Sequence, residues 1–404
     1  MKQQIEYTEA RELLLLAAQT VGEETLPLEA CGGRVLARAL YARANVPPFD
    51  RSAYDGYAFR AADTAQAAQQ APVTLRVLGE IPAGLVGTME VTDGTAVKIL
   101  TGAPIPKGAD CVIKYELTEY TDGEVKLFAP MKSGANIVRA GEDVREGQLL
   151  APVGTVIDAG LAATLASQAV AAPWVFRRPC VGLISTGSEL REPSEPPEAG
   201  KIYNANRYAL EAELQKLGCQ TRYFGIAGDC VAEIAERMQQ ALDCCDALIL
   251  TGGVSVGDYD LTPAAMERVG AEILIRGVKM KPGMACAYAV RDGKLLFGLS
   301  GNPAAAMTQL YVLVAPALRK MSGRREVLPK VVTAALAEPF PKGSRFPRFL
   351  RGTLELSEGR VQLLLPHGQG NAVASSLIGS DVLALIPAES GPLAADTQLK
   401  GFLL

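Results

Sequence analysis

Three loops of this chain combine glycines with small polar and acidic side chains, a mixture suited to holding a phosphorylated ligand. They are Ser185-Thr186-Gly187-Ser188-Glu189, then Thr251-Gly252-Gly253-Val254-Ser255-Val256-Gly257-Asp258-Tyr259-Asp260, then Gly298-Leu299-Ser300-Gly301-Asn302-Pro303. Glycine lets backbone N–H groups approach an anion closely, and a following helix N-terminus favours negative charge. Glu189, Asp229, Asp258 and Asp260 add carboxylates. Mg²⁺ is bound in such settings through one or two carboxylates and phosphate oxygens. The plain alternative for each acid is a helix N-cap, and Asp260, just ahead of Leu261-Thr262-Pro263, is the most open to it. Lys279-Met280-Lys281-Pro282-Gly283 offers two ammonium groups before a tight turn, either an anion clamp or a solvated turn. Neither a Walker-A lysine pattern nor GxGxxG occurs in these loops, which argues against nucleotide hydrolysis and dinucleotide binding.

A second polar set lies upstream. It comprises Pro47 to Ala58 (PPFDRSAYDGYA), Thr101 to Pro106 (TGAPIP) and Arg139-Ala140-Gly141-Glu142-Asp143. Each is either a site or a structural turn. The single histidine, His367, is the only imidazole, so serine or cysteine nucleophile catalysis finds little support. The eight cysteines form no CxxC pair, which excludes zinc-ribbon and thioredoxin-type readings.

The three downstream loops follow the apolar runs VGLIS, ALILT and KLLF, which read as buried strands. Helices are expected over Tyr208–Leu217, Val231–Leu242, Thr262–Val269 and Pro303–Arg319, with a strand over Thr221–Gly225. This alternation predicts a three-layer α/β domain over 177–325, with ligands at the carboxyl ends of its strands. The upstream set sits among short strands (VTLRVLGEI, TAVKIL, CVIKYEL, GEVKLFA), predicting an inserted β domain over 46–142. Helical character near Thr8, which could cap, and over Asp158–Ala171 frames it, so 1–45 with 143–176 reads as one discontinuous domain of mixed helical and extended structure. The stretch 326–404 has the short strands and turns of a small β-barrel.

The chain has 404 residues, enough for several cores, and its 40 Lys and Arg against 44 Asp and Glu exclude a polybasic nucleic-acid binder. The uncharged stretches at 159–176 and 295–318 contain breakers, and no signal peptide precedes them, so a cytoplasmic protein without membrane spans is expected.

PPFDRSAYDGYA, ILTGAPIPKGAD, NIVRAGEDV, ISTGSEL, YNANR, TGGVSVGDYD, MKPG and SGNPAAA stand in the order and spacing of one family. The chain resembles the molybdopterin molybdenumtransferases (the MoeA family, which includes the gephyrin E domain), and its α/β domain resembles the molybdopterin adenylyltransferases. The resemblance implies four domains and an elongated homodimer, with a cleft between the α/β domain of one subunit and the β domain of the other. It implies Mg²⁺-dependent insertion of molybdate into adenylated molybdopterin with release of AMP. A molybdopterin adenylyltransferase and a molybdoenzyme or its chaperone are the implied transient partners. Carried over by motif, Asp55, Thr101, Glu142, Asp143, Glu189 and Lys281 are the catalytic positions. Asp229 and Asp260 are the metal ligands, and Gly252, Gly253, Ser255, Gly257, Lys279, Ser300, Gly301 and Asn302 are the substrate contacts.

The chain departs from the family pattern in places. Met284-Ala285 stands where Lys-Pro usually follows KPG, Ser300 where proline precedes GNP, and Gly277 where a basic residue is common. Lys279 could supply that charge. These departures bear on molybdate against tungstate, and a scaffold or carrier of the pterin intermediate is the alternative to a transferase. An adenylyltransferase acting one step earlier would need only the α/β domain.

Overall fold

Buried aliphatic runs form the parallel strands of a seven-stranded sheet. VGLIS lies within Cys180–Thr186, flanked in parallel by Gln220–Ala227 and Ala247–Thr251, and Lys294–Leu299 pairs with the latter. The sheet then turns antiparallel through Ala287–Arg291 and Glu272–Lys279. Its far edge is a strand that the sequence reading did not foresee. Lys2–Glu6 pairs parallel with Glu272–Lys279, although its polar residues carry no apolar alternation. The structure is a computed structural model and describes residues 1–254, 261–357, 359–366 and 368–404.

Helices cover both faces of this sheet. Val231–Cys244 buries Ile234, Ala235, Met238, Ala241 and Leu242, a stripe at helical spacing, against one face. On the other, Ala205–Lys216 and Tyr7–Ala17 pack with the apolar segment that begins at Pro303. Leu14, fully buried there, contributes about 2 kcal/mol by area removed from water. Thr8 does not cap the first helix, because the strand runs directly into it and Glu6 occupies the N-cap. The helix expected over Pro303–Arg319 is interrupted: Pro303–Gln309 passes through a π turn at Leu310–Val314 into Ala315–Met321, where Pro316 cannot donate to the preceding turn.

The C-terminal segment closes into a five-stranded barrel ordered Val331–Leu336, Arg360–Leu364, Arg348–Ser357, Val382–Ile386, Gln398–Leu403, as its turn-rich texture predicts. Arg351 is fully buried in it, held by Ser376 Oγ at 3.0 Å and the Gly370 carbonyl at 3.1 Å. These elements, within Met1–Arg38, Val153–Ala162 and Ala172–Leu404, make up one of two units.

The other unit is Ala39–Pro152 with Ala163–Ala171. Its six-stranded sheet runs Cys111–Lys114, Gly56–Phe59, Thr95–Ile99, Val73–Ile81, Glu124–Leu127, Thr118–Tyr120, taking up all four strands expected from the alternating pattern. Gly56 is required by close packing, since a Cβ there would lie 1.7 Å from the Ile113 carbonyl oxygen. Among the described residues no helix is long and apolar enough to cross a membrane.

Candidate functional site

The three downstream loops leave the carboxyl ends of adjacent parallel strands and open onto one cavity of about 880 Å³. Thr186 Oγ1 donates to the Thr251 carbonyl at 3.0 Å, joining the first loop to the second. Gly252 adopts φ +97° and passes so close to Thr186 that a Cβ would lie 2.6 Å from its carbonyl oxygen and from Oγ1. Thr262 Oγ1 fixes the next peptide by donating to the Gly252 carbonyl at 2.9 Å. Gly252→Ala is therefore expected to lower unfolding stability by about 2 kcal/mol, read in a urea titration.

The third loop is held by side chains that sequence reasoning missed. Gln309, fully buried, accepts from the Ser300 N–H at 2.9 Å and donates to the carbonyls of Gly283 and Ala285 at 2.9 and 2.8 Å. One amide thus ties the Ser300-Gly301-Asn302 loop to the turn after Lys281. The signal was a lone Gln inside the apolar run AAAMTQLYVL. Asn206 donates to the Gly301 carbonyl at 2.8 Å and lines the cavity, while its buried Oδ1 has no protein partner. Asn371, from a loop of the barrel, completes the lining.

Glu189 and Asp229 both face this cavity. The capping alternative does not hold for Asp229. The helix after it is N-capped by Cys230, while Asp229 Oδ2 accepts from the Ser188 N–H at 3.2 Å. Behind Glu189, Glu192 accepts from Tyr223 Oη at 2.8 Å, Tyr208 Oη at 3.0 Å and Asn204 Nδ2 at 3.3 Å. Burial alone would raise this carboxyl, but the bonds from Tyr223, Tyr208 and Asn204 hold it below the ordinary carboxylate range. Asn204 in turn N-caps Ala205–Lys216 and so positions Asn206.

Among the described residues the lining contains no Lys, Arg or His. The Lys279 ammonium lies 3.1 Å from Glu6 Oε1, and Lys281 is exposed outside the lining. The Lys281 backbone is fixed by the barrel strand, its N–H donating to Pro347 at 2.9 Å and its carbonyl accepting from Phe349 at 2.8 Å. Ser255, Gly257, Asp258, Asp260 and His367 lie outside the described residues. No group of three or more His, Cys, Asp or Glu among the described residues could hold a metal. Two carboxylates beside glycine-bearing loops, Glu189 and Asp229, are a donor set that fits Mg²⁺, which keeps waters and binds through one or two carboxylates.

In the other unit the three upstream loops converge around Arg51–Ser52. Ile137–Val138 pairs with this segment, while Ser52 exchanges backbone hydrogen bonds with Ala103 and Gly102, each at 2.9 Å. Asp55 Oδ1 accepts from Thr101 N at 2.6 Å and from Thr101 Oγ1 at 2.7 Å, bonds that hold this exposed carboxyl below its ordinary pKa. Glu142 accepts from the Arg139 N–H at 3.0 Å, closing its own loop, and Asp143 is exposed beside it. Asp50 accepts from the Ala140 N–H at 2.8 Å and from Arg139 Nη1 at 2.6 Å, and these partners lower its pKa from the ordinary 3.8. A depressed folded-state pKa gives stability that is complete above 3.8 and lost as pH falls through the lower value. Urea midpoints of wild type and Asp50→Asn are therefore expected to differ at neutral pH and to converge in acid.

Residues 5–169 match the family model described as "MoeA N-terminal region (domain I and II)", and residues 182–320 match "Probable molybdopterin binding domain". The chain is 38% identical over 375 residues to the molybdopterin molybdenumtransferase of Bacillus subtilis (strain 168), covering 91% of this chain and 87% of that one. It is 34% identical over 382 residues to the molybdopterin molybdenumtransferase of Staphylococcus aureus (strain MRSA252), covering 95% and 91%. The crystal structure of a molybdopterin biosynthesis moeA protein from Pyrococcus horikoshii OT3 superposes with a TM-score of 0.86 at 32% identity, covering 99% of this chain and all of that one.

Proposed function

The chain belongs to the molybdopterin molybdenumtransferase family, enzymes of molybdenum cofactor biosynthesis, and from that premise we propose that it inserts molybdate into adenylated molybdopterin and releases AMP in a Mg²⁺-dependent reaction. The observation that carries this reading is the convergence of three glycine-bearing loops on one cavity beside Glu189 and Asp229. Thr186, Gly252 and Gly253 line the cavity where the pyrophosphate would lie, and Asn206 offers a buried amide oxygen to a ligand N–H.

Charge decides the next step. An anionic pyrophosphate and an oxyanion both enter a cavity whose described lining carries two carboxylates and no cation. Mg²⁺ held by Asp229, with Asp260, would neutralise the phosphates, and Lys281 would meet the oxyanion charge as the AMP linkage breaks. Asp55 and Thr101 would position molybdate or its attacking oxygen, with Glu142 and Asp143 beside them. We place these four on the second subunit of a homodimer, so that each cleft draws on both chains. A cytoplasmic setting, with an adenylyltransferase upstream and a molybdoenzyme or its chaperone downstream, accords with this reaction.

The test is AMP release from adenylated molybdopterin by the purified protein with Mg²⁺ and either molybdate or tungstate, the product being scored by reconstitution of an apo-molybdoenzyme. Oxyanion-dependent AMP release with active cofactor is expected. Met284 and Ala285 line the cavity where the family usually has Lys-Pro, which favours a second reading, a carrier of the adenylated pterin. Tight binding without AMP release would select the carrier.

A further inference from the structure

Three free thiols meet at the end of the α/β sheet remote from the cavity. Cys180 opens the strand whose last residue, Thr186, lines the cavity, and Cys244 and Cys245 end the helix that begins at Val231. The Cys180 thiol donates to Cys245 Sγ at 3.6 Å, and Cys244 Sγ lies 3.9 Å from Cys245 Sγ. Their accessibility is graded, with Cys244 exposed, Cys180 half-buried and Cys245 buried.

The surroundings suit sulfur chemistry. Arg222, exposed on the neighbouring strand, is a cation that acts electrostatically on all three sulfurs. Burial pushes the Cys245 thiol up, so the exposed Cys244 is the sulfur that meets a peroxide first. The backbone is pinned, because Asp246 N–H donates to the Cys180 carbonyl and Asp246 Oδ2 accepts from Cys180 N–H, both at 2.8 Å. A disulfide needs sulfurs about 2 Å apart, and one between the adjacent Cys244 and Cys245 closes a strained eight-membered ring, which favours passing the bond on to Cys180. The transferase reaction uses none of these groups.

We propose that Cys244, Cys245 and Cys180 form a peroxide-reactive thiol relay whose end product is a Cys180–Cys245 disulfide. The Cys244 thiolate attacks hydrogen peroxide, the O–O bond breaks, and the sulfur is oxidised by two electrons to sulfenic acid while the departing oxygen leaves as water. Cys245 gives up its proton and attacks the Cys244 sulfur, displacing a second water and forming the Cys244–Cys245 bond. Cys180 then attacks Cys245 Sγ, breaking that bond and returning Cys244 to the thiol with the proton Cys180 gave up. Overall two thiols and one peroxide become one disulfide and two waters.

The full chain is treated with one equivalent of hydrogen peroxide, alkylated and digested for mass spectrometry. The expected result is a Cys180–Cys245 linked peptide lacking two hydrogens, with Cys244 alkylated and all thiols recovered by dithiothreitol. Cys244→Ser is expected to slow linkage at least about tenfold, and Cys180→Ser to stop the relay at Cys244–Cys245. The circular dichroism spectrum of each variant identifies any that fails to fold, and Cys180→Ala then replaces it. Oxidation of Cys244 to the sulfinic acid without linkage would overturn the relay. So would linkage through Cys219, or Cys244→Ser reacting at the wild-type rate.

Discussion

Asp55→Asn is expected to lower molybdenum cofactor synthesis by roughly a hundred- to a thousandfold with thermal unfolding unchanged. The asparagine Oδ1 can still accept both Thr101 bonds, at 2.6 and 2.7 Å in the wild type, so the loop keeps its shape. Only the charge goes, and the site is exposed, so folding has little stake in it. The Thr101 bonds also hold the wild-type carboxyl ionised to below its ordinary pKa of 3.8. Activity limited by this group should therefore stay flat from neutral pH down to that range. Thr101→Val, which keeps the N–H donor and removes the hydroxyl, is expected to lose less. AMP release and apo-enzyme reconstitution measure both, and a wild-type rate for Asp55→Asn would remove Asp55 from the mechanism.

The second large effect is a recovery. Asp55→Asn and Asp229→Asn are each expected to be nearly inactive alone. If each cleft combines the Asp55 of one subunit with the Asp229 of the other, a mixed dimer holds one doubly altered cleft and one intact cleft. After unfolding and refolding together, half the dimers are mixed and half their clefts intact, so about a quarter of wild-type activity should return. A cleft built within one chain gives no recovery. Light scattering on the same samples reports whether dimers formed, which separates a failed assembly from a failed cleft.

The elements around the cavity were legible because each rule acted locally. VGLIS, ALILT and KLLF are continuous apolar runs ended by glycine-bearing polar loops, and strand–loop–helix alternation places such loops at one edge of a parallel sheet. The four strands of the inserted sheet and the closed barrel followed from alternation and turn residues in the same way. Lys2–Glu6 was not legible, because a polar edge strand is fixed by its partner Glu272–Lys279 and not by its own pattern.

The sequence by itself determined the family, the set of candidate loops and the fold class, since these rest on ordered motifs, residue type and near-neighbour spacing. Tertiary structure alone decided which polar groups meet. Gln309, in a helix, reaches the Ser300 loop and the turn at Gly283, and Asn206 crosses from the Asn204-capped helix to Gly301. Lys279 pairs with Glu6 across 273 residues of sequence, and the barrel strand at Phe349 clamps Lys281. Hydrogen bonds and ion pairs act over about 3 Å, a distance that sequence separation does not encode and only packing sets.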